Sequence, residues 1–232
     1  MPRFVYIHVP KCGGSSFGAA LRVRFILSQA SISLNQGNPE LSGNNYILSD
    51  YRARDVQLQK LMARKVKMIS GHVRYGPASQ KLAAQDYKYI TLLRDPIERF
   101  VSHYNYLQRK HPSNGRPSTL AGFLDTQDAA RLASQYLFYF AQGGQHYGMD
   151  TRQLIDRAIT NLSSFSLVGN LSEPKEFAAG LERITGKYLP QWRRNSAPEP
   201  TTVPSNLLDH ISTLCTADVK IYEAMQRKRL AA

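Results

Sequence analysis

The stretch FVYIHVPKCGGSSF (residues 4–17) decides the fold and is also the first place where the sequence indicates a binding site. Residues 4–9 form a short apolar run rich in β-branched and aromatic side chains, which predicts a buried strand. A loop with proline and glycine breaks the run, and Ser15 is the predicted N-cap of a helix over residues 16–28. The order of strand, glycine-containing loop and helix is typical of parallel α/β proteins.

The loop between this strand and helix has the composition of an anion-binding site. Gly13 and Gly14 stand directly before the helix, where backbone N–H groups can converge on a phosphate or sulfate. The helix N-terminus adds about half a positive charge, and Lys11 and serine hydroxyls lie beside it. The alternative is a loop whose glycines only turn the chain. The segment over residues 8–17 does not match a Walker A loop, because its lysine precedes the glycines. It does not match a cysteine phosphatase loop either, because Gly18 stands where that loop has its clamping arginine.

A second motif is TLLRDPIERFVSHY (residues 91–104). Residues 87–93 are a predicted buried strand, so Arg94 leaves its carboxyl end, where open α/β sheets bind their ligands. A helix is predicted over residues 96–110, with proline in its first turn. Ser102 lies two turns into that helix, so one anion could meet both a guanidinium group and a hydroxyl. The alternative is a capped helix start without a ligand.

A third motif, SGHVRY (residues 70–75), places His72 just after a strand predicted over residues 66–70. An imidazole at this edge of the sheet suits a general base for a hydroxyl nucleophile. A structural histidine is the alternative, and composition alone leaves five rivals: His8, His103, His111, His146 and His210.

The remaining elements are predicted from the same kinds of pattern. They are an irregular loop over residues 29–50, a helix over 54–65, helices in two or three pieces over 118–163, a strand over 165–169, a helix over 174–185, a proline-rich loop over 190–206 and a last helix over 205–228. Since no repeat or linker interrupts the pattern, we expect one domain over residues 1–232, a three-layer α/β fold with a parallel sheet flanked by helices.

Composition excludes several classes of protein. The 232 residues are 42% hydrophobic and 20% charged, as expected for a globular domain. An apolar run of about 18 residues, which a membrane-spanning helix needs, is missing, and the N-terminal apolar run is too short for a signal peptide. Two cysteines, Cys12 and Cys215, are too few for a disulfide framework. We therefore expect a cytoplasmic protein.

The charge distribution predicts a polyanionic partner. Lys and Arg exceed Asp and Glu by 30 to 17, a net charge of +13. Residues 1–111 hold 17 basic and 6 acidic residues, a net +11, whereas residues 112–232 hold 13 and 11, a net +2. The basic N-terminal half of the chain could bind nucleic acid, a phosphorylated nucleotide, an anionic glycan or a membrane surface. A solvated basic surface is the alternative.

Together the three motifs resemble the sulfotransferases that depend on 3′-phosphoadenosine 5′-phosphosulfate (PAPS), in particular the carbohydrate branch that includes heparan sulfate 2-O-sulfotransferase. HVPKCGGSSF (residues 8–17) is similar to the family's 5′-phosphosulfate loop. LLRDPIERFVSHYNYL (residues 92–107) is similar to its 3′-phosphate motif, and GHVRY (residues 71–75) to the segment with the catalytic histidine. The resemblance implies a sulfotransferase fold like that of P-loop nucleotide hydrolases. A weaker likeness lies in residues 167–173 and in the helix of Asp218 and Tyr222.

The resemblance also implies the roles of individual residues. His72 would accept the proton of the acceptor hydroxyl, and Lys11 would neutralise the leaving oxygen. Arg94 and Ser102 would bind the 3′-phosphate. The donor would be PAPS, the product adenosine 3′,5′-bisphosphate, and the acceptor a hydroxyl, with carbohydrate expected, while no metal and no specific nucleic acid are expected. The loop residues expected to hold the 5′-phosphosulfate group are Lys11, Cys12, Gly13, Gly14, Ser15, Ser16 and Phe17.

Two rival functions remain open at the level of sequence. A phosphotransferase related to P-loop kinases shares the order of strand, loop and helix, and a non-catalytic polyanion-binding module would use the basic half of the chain. Arg193 and Arg194 either close over the nucleotide or form a plain basic loop. Cys12 is either a reactive thiol at a helix N-terminus or, as we favour, a small residue that fills space.

Overall fold

β1 (Arg3–Ile7) is the central strand of a sheet whose neighbouring strands are all parallel. A computed structural model describes residues 2–35, 37–83, 87–110, 115, 117–141, 150–189 and 203–230. Within them, β1 pairs with β3 (Met68–Gly71) on one side and with β4 (Tyr87–Leu93) on the other. β2 (Gln29–Ile32) and β5 (Leu167–Asn170) are the edges, so the strand order is β2-β3-β1-β4-β5.

Helices cover both faces of this sheet, which confirms the predicted three-layer α/β class. Their bounds are α1 (Gly14–Arg24), α2 (Gly43–Ala63), α3 (Pro77–Ala83), α4 (Pro96–Lys110), α5 (Leu120–Leu124), α6 (Gln127–Ala133), α7 (Gln135–Phe140), α8 (Thr151–Ser163), α9 (Pro174–Thr185), α10 (Ser205–Leu214) and α11 (Thr216–Leu230). Across the described ranges, no helix combines the length and the apolar character needed to cross a bilayer.

Alternation along β1 divides the core into two layers. Phe4 and Tyr6 pack on one face with α1 and α9, whereas Val5 and Ile7 pack on the other with α2, α7, α8 and α11. Phe100 of α4 lies in a third cluster with α5, α6 and α10. Because parallel strands end at the same edge, the segments after β1, β3 and β4 lie next to one another.

Most predicted elements are confirmed, and β4, α4 and α9 begin and end at the predicted residues. The prediction of an irregular loop over residues 29–50 is wrong, because β2 and the start of α2 lie there. The helix predicted over residues 54–65 is the second half of α2. β2 escaped notice because three of its four residues are at least partly exposed, so it has no apolar run.

The C-terminal part of the chain differs in one further respect. The last helix, predicted as one, is divided at Cys215 into α10 and α11. Most of the predicted proline-rich loop, including Arg193 and Arg194, lies outside the described residues, as do His111 and His146.

A buried ion pair joins α4 to α11. Arg99 Nη2 lies 3.4 Å from Asp218 Oδ2, and both side chains are fully buried. Asp218 also accepts hydrogen bonds from the backbone N–H groups of Tyr136, at 2.9 Å, and Leu137, at 3.2 Å, and so caps the start of α7. Burial raises the pKa of the Asp218 carboxyl to about 6, so the group is ionised at pH 7.5. One carboxylate thus fixes three helices relative to one another.

We expect Asp218→Ala to lower the free energy of unfolding by about 3–5 kcal/mol, because it leaves the buried Arg99 guanidinium without its counter-charge. Urea denaturation at pH 7.5 measures this. Asp209→Ala, which removes an exposed carboxylate of α10, is the matched control and is expected to change stability by less than about 0.5 kcal/mol. Equal effects of the two substitutions would contradict the assigned role of the pair.

Candidate active site

The loop from β1 to α1 is held in a conformation that few residues adopt. Lys11 has a φ of 65° and Gly13 a φ of 71°, both in the left-handed region. Gly13 is the N-cap of α1, which begins at Gly14, so the predicted capping by Ser15 is wrong. Glycine suits the cap because its φ would strain any other residue. The N–H groups in the first turn of an α-helix are directed towards its N-terminus, as an anion site requires, although the Ser16 N–H already donates a hydrogen bond to the Gly13 carbonyl oxygen at 3.3 Å.

The Lys11 side chain lies against α4. Its Nζ is 4.6 Å from the centre of the Tyr106 ring, a cation–π contact. Burial, followed by the positive charges of Arg109 and Arg94, lowers the pKa of the Lys11 ammonium group. Lys11 is thus repelled by two neighbouring positive charges, and an anion bound at the loop would relieve that repulsion.

Arg94 connects the two predicted anion motifs. It follows β4, and its Nη1 donates a hydrogen bond to the Lys11 carbonyl oxygen at 3.4 Å, while its Nε donates to Glu98 at 3.2 Å. Asp95 caps α4 by accepting from the backbone N–H groups of Ile97 and Glu98, each at 3.0 Å. The guanidinium group therefore lies beside the loop after β1.

Ser102 occupies the predicted place on α4, eight residues after Arg94 and half-buried. Phe17 is placed differently from a binding side chain, because its ring packs edge-on against Phe177 with centroids 4.9 Å apart. The Phe17 ring thus takes part in the contact between α1 and α9.

Cys12 fills space, as the favoured alternative predicts. Its side chain is fully buried, with Sγ 3.7 Å from the Tyr136 hydroxyl. Burial raises the pKa of the thiol to about 11, so it stays protonated and unreactive at neutral pH.

His72 directly follows β3, as predicted, and packs on a second imidazole. Its ring is stacked on His8 with centroids 4.4 Å apart, and its Nδ1 donates a hydrogen bond to the His8 carbonyl oxygen at 2.5 Å. Since a carbonyl only accepts, the neutral ring carries its proton on Nδ1 and keeps the Nε2 lone pair. Burial lowers the pKa of His72 to about 4, so the ring is neutral at pH 7.

Arg54 holds the backbone at His72. Its Nη1 donates a hydrogen bond to the His72 carbonyl oxygen at 3.0 Å, and its Nη2 forms an ion pair with Asp50, one turn earlier in α2. Both side chains of this pair are buried. The sequence did not indicate this contact, because Asp50, the partner of Arg54, lies in residues 29–50, which were predicted as an irregular loop rather than as part of a helix.

A cavity of about 490 Å³ opens beside His72, between α1 and the face of β1, β3 and β2 that α1 covers. His8, His72 and Gly14 line it, whereas Lys11 and Arg94 do not. His8 and Gly14 are in close contact, since a Cβ atom on Gly14 would lie 1.9 Å from the His8 ring. The start of the loop after β1 and the first residue of α1 therefore border the cavity, while Lys11 and Arg94 lie outside its lining.

His103 is a third partly buried imidazole near these groups. Its Nδ1 is buried without a hydrogen-bond partner. Burial lowers the pKa of His103 to about 3, with smaller contributions from Arg99, Lys11 and His72 in that order. Its position one residue after Ser102 was visible in the sequence, but its burial was not. His210, by contrast, is exposed on α10.

Tyr136 is the other residue that sequence reasoning missed. Its hydroxyl donates to the Arg94 carbonyl oxygen and accepts from the Arg94 N–H at 2.9 Å. It lies on α7, far along the chain from both motifs, so only the folded structure reveals the contact.

No group of three or more His, Cys, Asp or Glu side chains suited to a metal ion occurs among the described residues.

We expect Gly14→Ala to displace the His8 ring, and with it His72, because the new Cβ would overlap that ring. Overpacking of this kind costs about 1–3 kcal/mol of stability, and the cavity should lose its shape. Thermal unfolding and ligand-binding assays measure the two effects. Gly76→Ala is the matched control, since its Cβ would meet no atom within 4 Å. A Gly14→Ala protein as stable as the control would contradict the contact.

Structural comparison supports the fold at low sequence identity. The crystal structure of a sulfotransferase from Alicyclobacillus acidocaldarius matches with a TM-score of 0.52 and 15% identity over 97% of this chain and 95% of that one. The mouse sulfotransferase SULT7A1 complexed with PAP matches with a TM-score of 0.41 and 18% identity, over 91% of this chain and 62% of that one. The second TM-score is too low to carry an argument. A search of curated proteins finds no significant match.

Comparison with family models decides the relationship. The model of the sulfotransferase family matches residues 2–227, which include both anion motifs, His72 and Asp218. The chain therefore belongs to the sulfotransferase family.

Proposed function

We propose that the protein transfers a sulfuryl group from PAPS to an acceptor hydroxyl, on a carbohydrate, by in-line displacement. The observation that carries the proposal is the contact between the two anion motifs, in which Arg94 Nη1 lies 3.4 Å from the Lys11 carbonyl oxygen. Two cationic groups beside one loop suit a donor with phosphate at both ends. The family match over residues 2–227 supports sulfuryl transfer and the treatment of residues 1–232 as one catalytic domain.

On this proposal the loop after β1 binds the 5′-phosphosulfate group. Backbone amides from Gly13 to Phe17 face the phosphate, and Lys11 stabilises the negative charge that grows on the bridging oxygen. Arg94 and Ser102 bind the 3′-phosphate. Fixed cations around the loop supply the charge stabilisation that Mg²⁺ supplies in nucleoside triphosphate enzymes.

His72 is the proposed general base. As the acceptor oxygen forms a bond to sulfur, Nε2 takes the hydroxyl proton, and the bond from sulfur to the bridging oxygen breaks. The electron pair of that bond leaves with adenosine 3′,5′-bisphosphate. The hydrogen bond from Nδ1 to His8 fixes the tautomer that this step needs. The negative charge of a bound donor would raise the pKa of His72 towards neutrality, which strengthens the base.

A carbohydrate acceptor is supported by the surface beside His72. Ser31, Ser70 and the two stacked imidazoles His8 and His72 line the cavity, so it offers hydrogen bonds to several hydroxyl groups. A screen of acceptors with radiolabelled PAPS, alongside thermal stabilisation by adenosine 3′,5′-bisphosphate, tests the proposal. Stabilisation and turnover with ATP and Mg²⁺ instead of PAPS would favour a phosphotransferase. Absence of turnover with either donor would favour a non-catalytic protein.

We expect Lys11→Ala and His72→Ala to lower sulfate transfer by roughly 100- to 1000-fold, because each removes a group that acts in the transition state. Turnover with radiolabelled PAPS measures the loss, and circular dichroism checks the fold. In the wild type, kcat/KM should fall as the pH drops through the His72 pKa of about 4, since protonation removes the lone pair. The acid limb of kcat should lie at higher pH, because the donor is then bound.

His72→Ala also supplies the control for this pH dependence. Its residual transfer should lack the acid limb that belongs to His72. Full activity of His72→Ala, or an unchanged acid limb in its profile, would remove His72 from the mechanism.

Arg94→Ala should weaken binding of adenosine 3′,5′-bisphosphate much more than binding of adenosine 5′-phosphate. Loss of one hydrogen-bonded ion pair corresponds to roughly 10- to 100-fold in affinity. Calorimetric titration with both nucleotides measures the difference. Equal losses for the two would show that Arg94 does not bind the 3′-phosphate.

A further inference from the structure

The face of the sheet beneath α1 is polar where a core is expected. Near the amino ends of the strands this face carries Phe4 and Met68, which pack with α1 in the apolar core. Towards the carboxyl ends, the positions on the same face are polar, and those that line the cavity are Tyr6, His8, Ser31, Ser70 and His72. Among these groups Ser31 Oγ lies 3.4 Å from Ser70 Oγ, and His72 Nδ1 donates to the His8 carbonyl oxygen, but each hydroxyl can still donate or accept a further hydrogen bond. This pattern favours a ligand site over a packed core.

Arg22 brings a positive charge into this cavity. Gly14, Gly18 and Arg22 recur every fourth residue along the face of α1 that lines the cavity. The guanidinium group lies back over α1, since a Cβ on Gly18 would be 3.3 Å from Arg22 Nη1. It is also close to His8, whose pKa is lowered mainly by burial and His72 and then by Arg22.

The charge of Arg22 is unmatched in the described part of the chain. The cavity lining contains no Asp or Glu, and the ion pairs found among the described residues do not include Arg22. The two imidazoles beside it are neutral at pH 7, since burial lowers the pKa of each. A half-buried guanidinium in a polar cavity without an acidic neighbour is a site for an anion.

We propose that this cavity binds the acceptor and that the acceptor carries an anionic group, a carboxylate or a sulfate or phosphate ester, which pairs with Arg22 while its hydroxyl faces His72. The inference rests on the proposed function, which places the reacting hydroxyl at His72. The volume of about 490 Å³ lies within the range of about 300–1,000 Å³ usual for small-ligand pockets. Lys11 and Arg94 do not line the cavity, so the donor and the acceptor anion occupy different places.

The test compares D-glucuronate, D-glucose 6-sulfate and D-glucose as probes, with the protein first saturated with adenosine 3′,5′-bisphosphate. In calorimetric titration, the Kd of one or both anionic sugars should be lower than that of glucose by roughly tenfold or more. The carboxylate and sulfate arms distinguish the two kinds of anion. Arg22→Gln should abolish the preference, and Arg22→Lys should retain part of it, because lysine keeps the charge without the planar fork.

Arg24→Gln is the matched control, because it removes an exposed arginine from the last turn of the same helix, and it should keep the preference. Circular dichroism of each variant checks the fold. Equal binding of charged and neutral sugars by the wild type, no measurable binding of either anion, or an unchanged preference in Arg22→Gln would each overturn the inference.

The first step of the experiment separates this inference from the proposed function. Stabilisation by adenosine 3′,5′-bisphosphate without a preference for anionic sugars contradicts the inference alone. Absence of that stabilisation contradicts the proposed function, and the same titration without nucleotide still decides whether Arg22 binds an anion in the cavity.

Discussion

The hydroxyl of Tyr136 is the contact on which the site depends. It donates to the Arg94 carbonyl oxygen, accepts from the Arg94 N–H and lies 3.7 Å from Cys12 Sγ. One buried oxygen thus fixes the end of β4 relative to the loop after β1. Tyr136 is itself held through its N–H by Asp218, whose charge is balanced by Arg99. Two contacts, through Tyr136 and Asp218, therefore link the loop after β1 to a buried ion pair in the helical layer.

Strand order explains why the candidate groups meet. β1 lies between β3 and β4, so the residues after these three strands share one edge of the sheet. Lys11 and Arg94 come from one adjacent pair and His72 from the other. The residues proposed to bind the nucleotide and the proposed base His72 therefore come from opposite sides of β1.

Sequence patterns predicted those parts of the fold whose signals are local. β4 and α4 have the predicted bounds because an apolar run ends at Arg94 and Pro96 begins a helix. β2 was missed because Ser31, which lines the cavity, interrupts the apolar pattern that marks a strand. The motifs indicated Lys11, Arg94 and His72, whereas the stacking of His8, the burial of His103 and the contacts of Tyr136 depend on residues distant in the chain.

The left-handed backbone at Lys11 sets a conflict between activity and robustness. A lysine in this conformation costs roughly 1–2 kcal/mol compared with glycine, which adopts it without penalty. The fold thus carries Lys11, the amine proposed to act on the donor, at a position where lysine is a poor conformational choice. Selection for thermal tolerance alone would favour glycine or asparagine there, and an engineered library screened only for folding would discard the amine first.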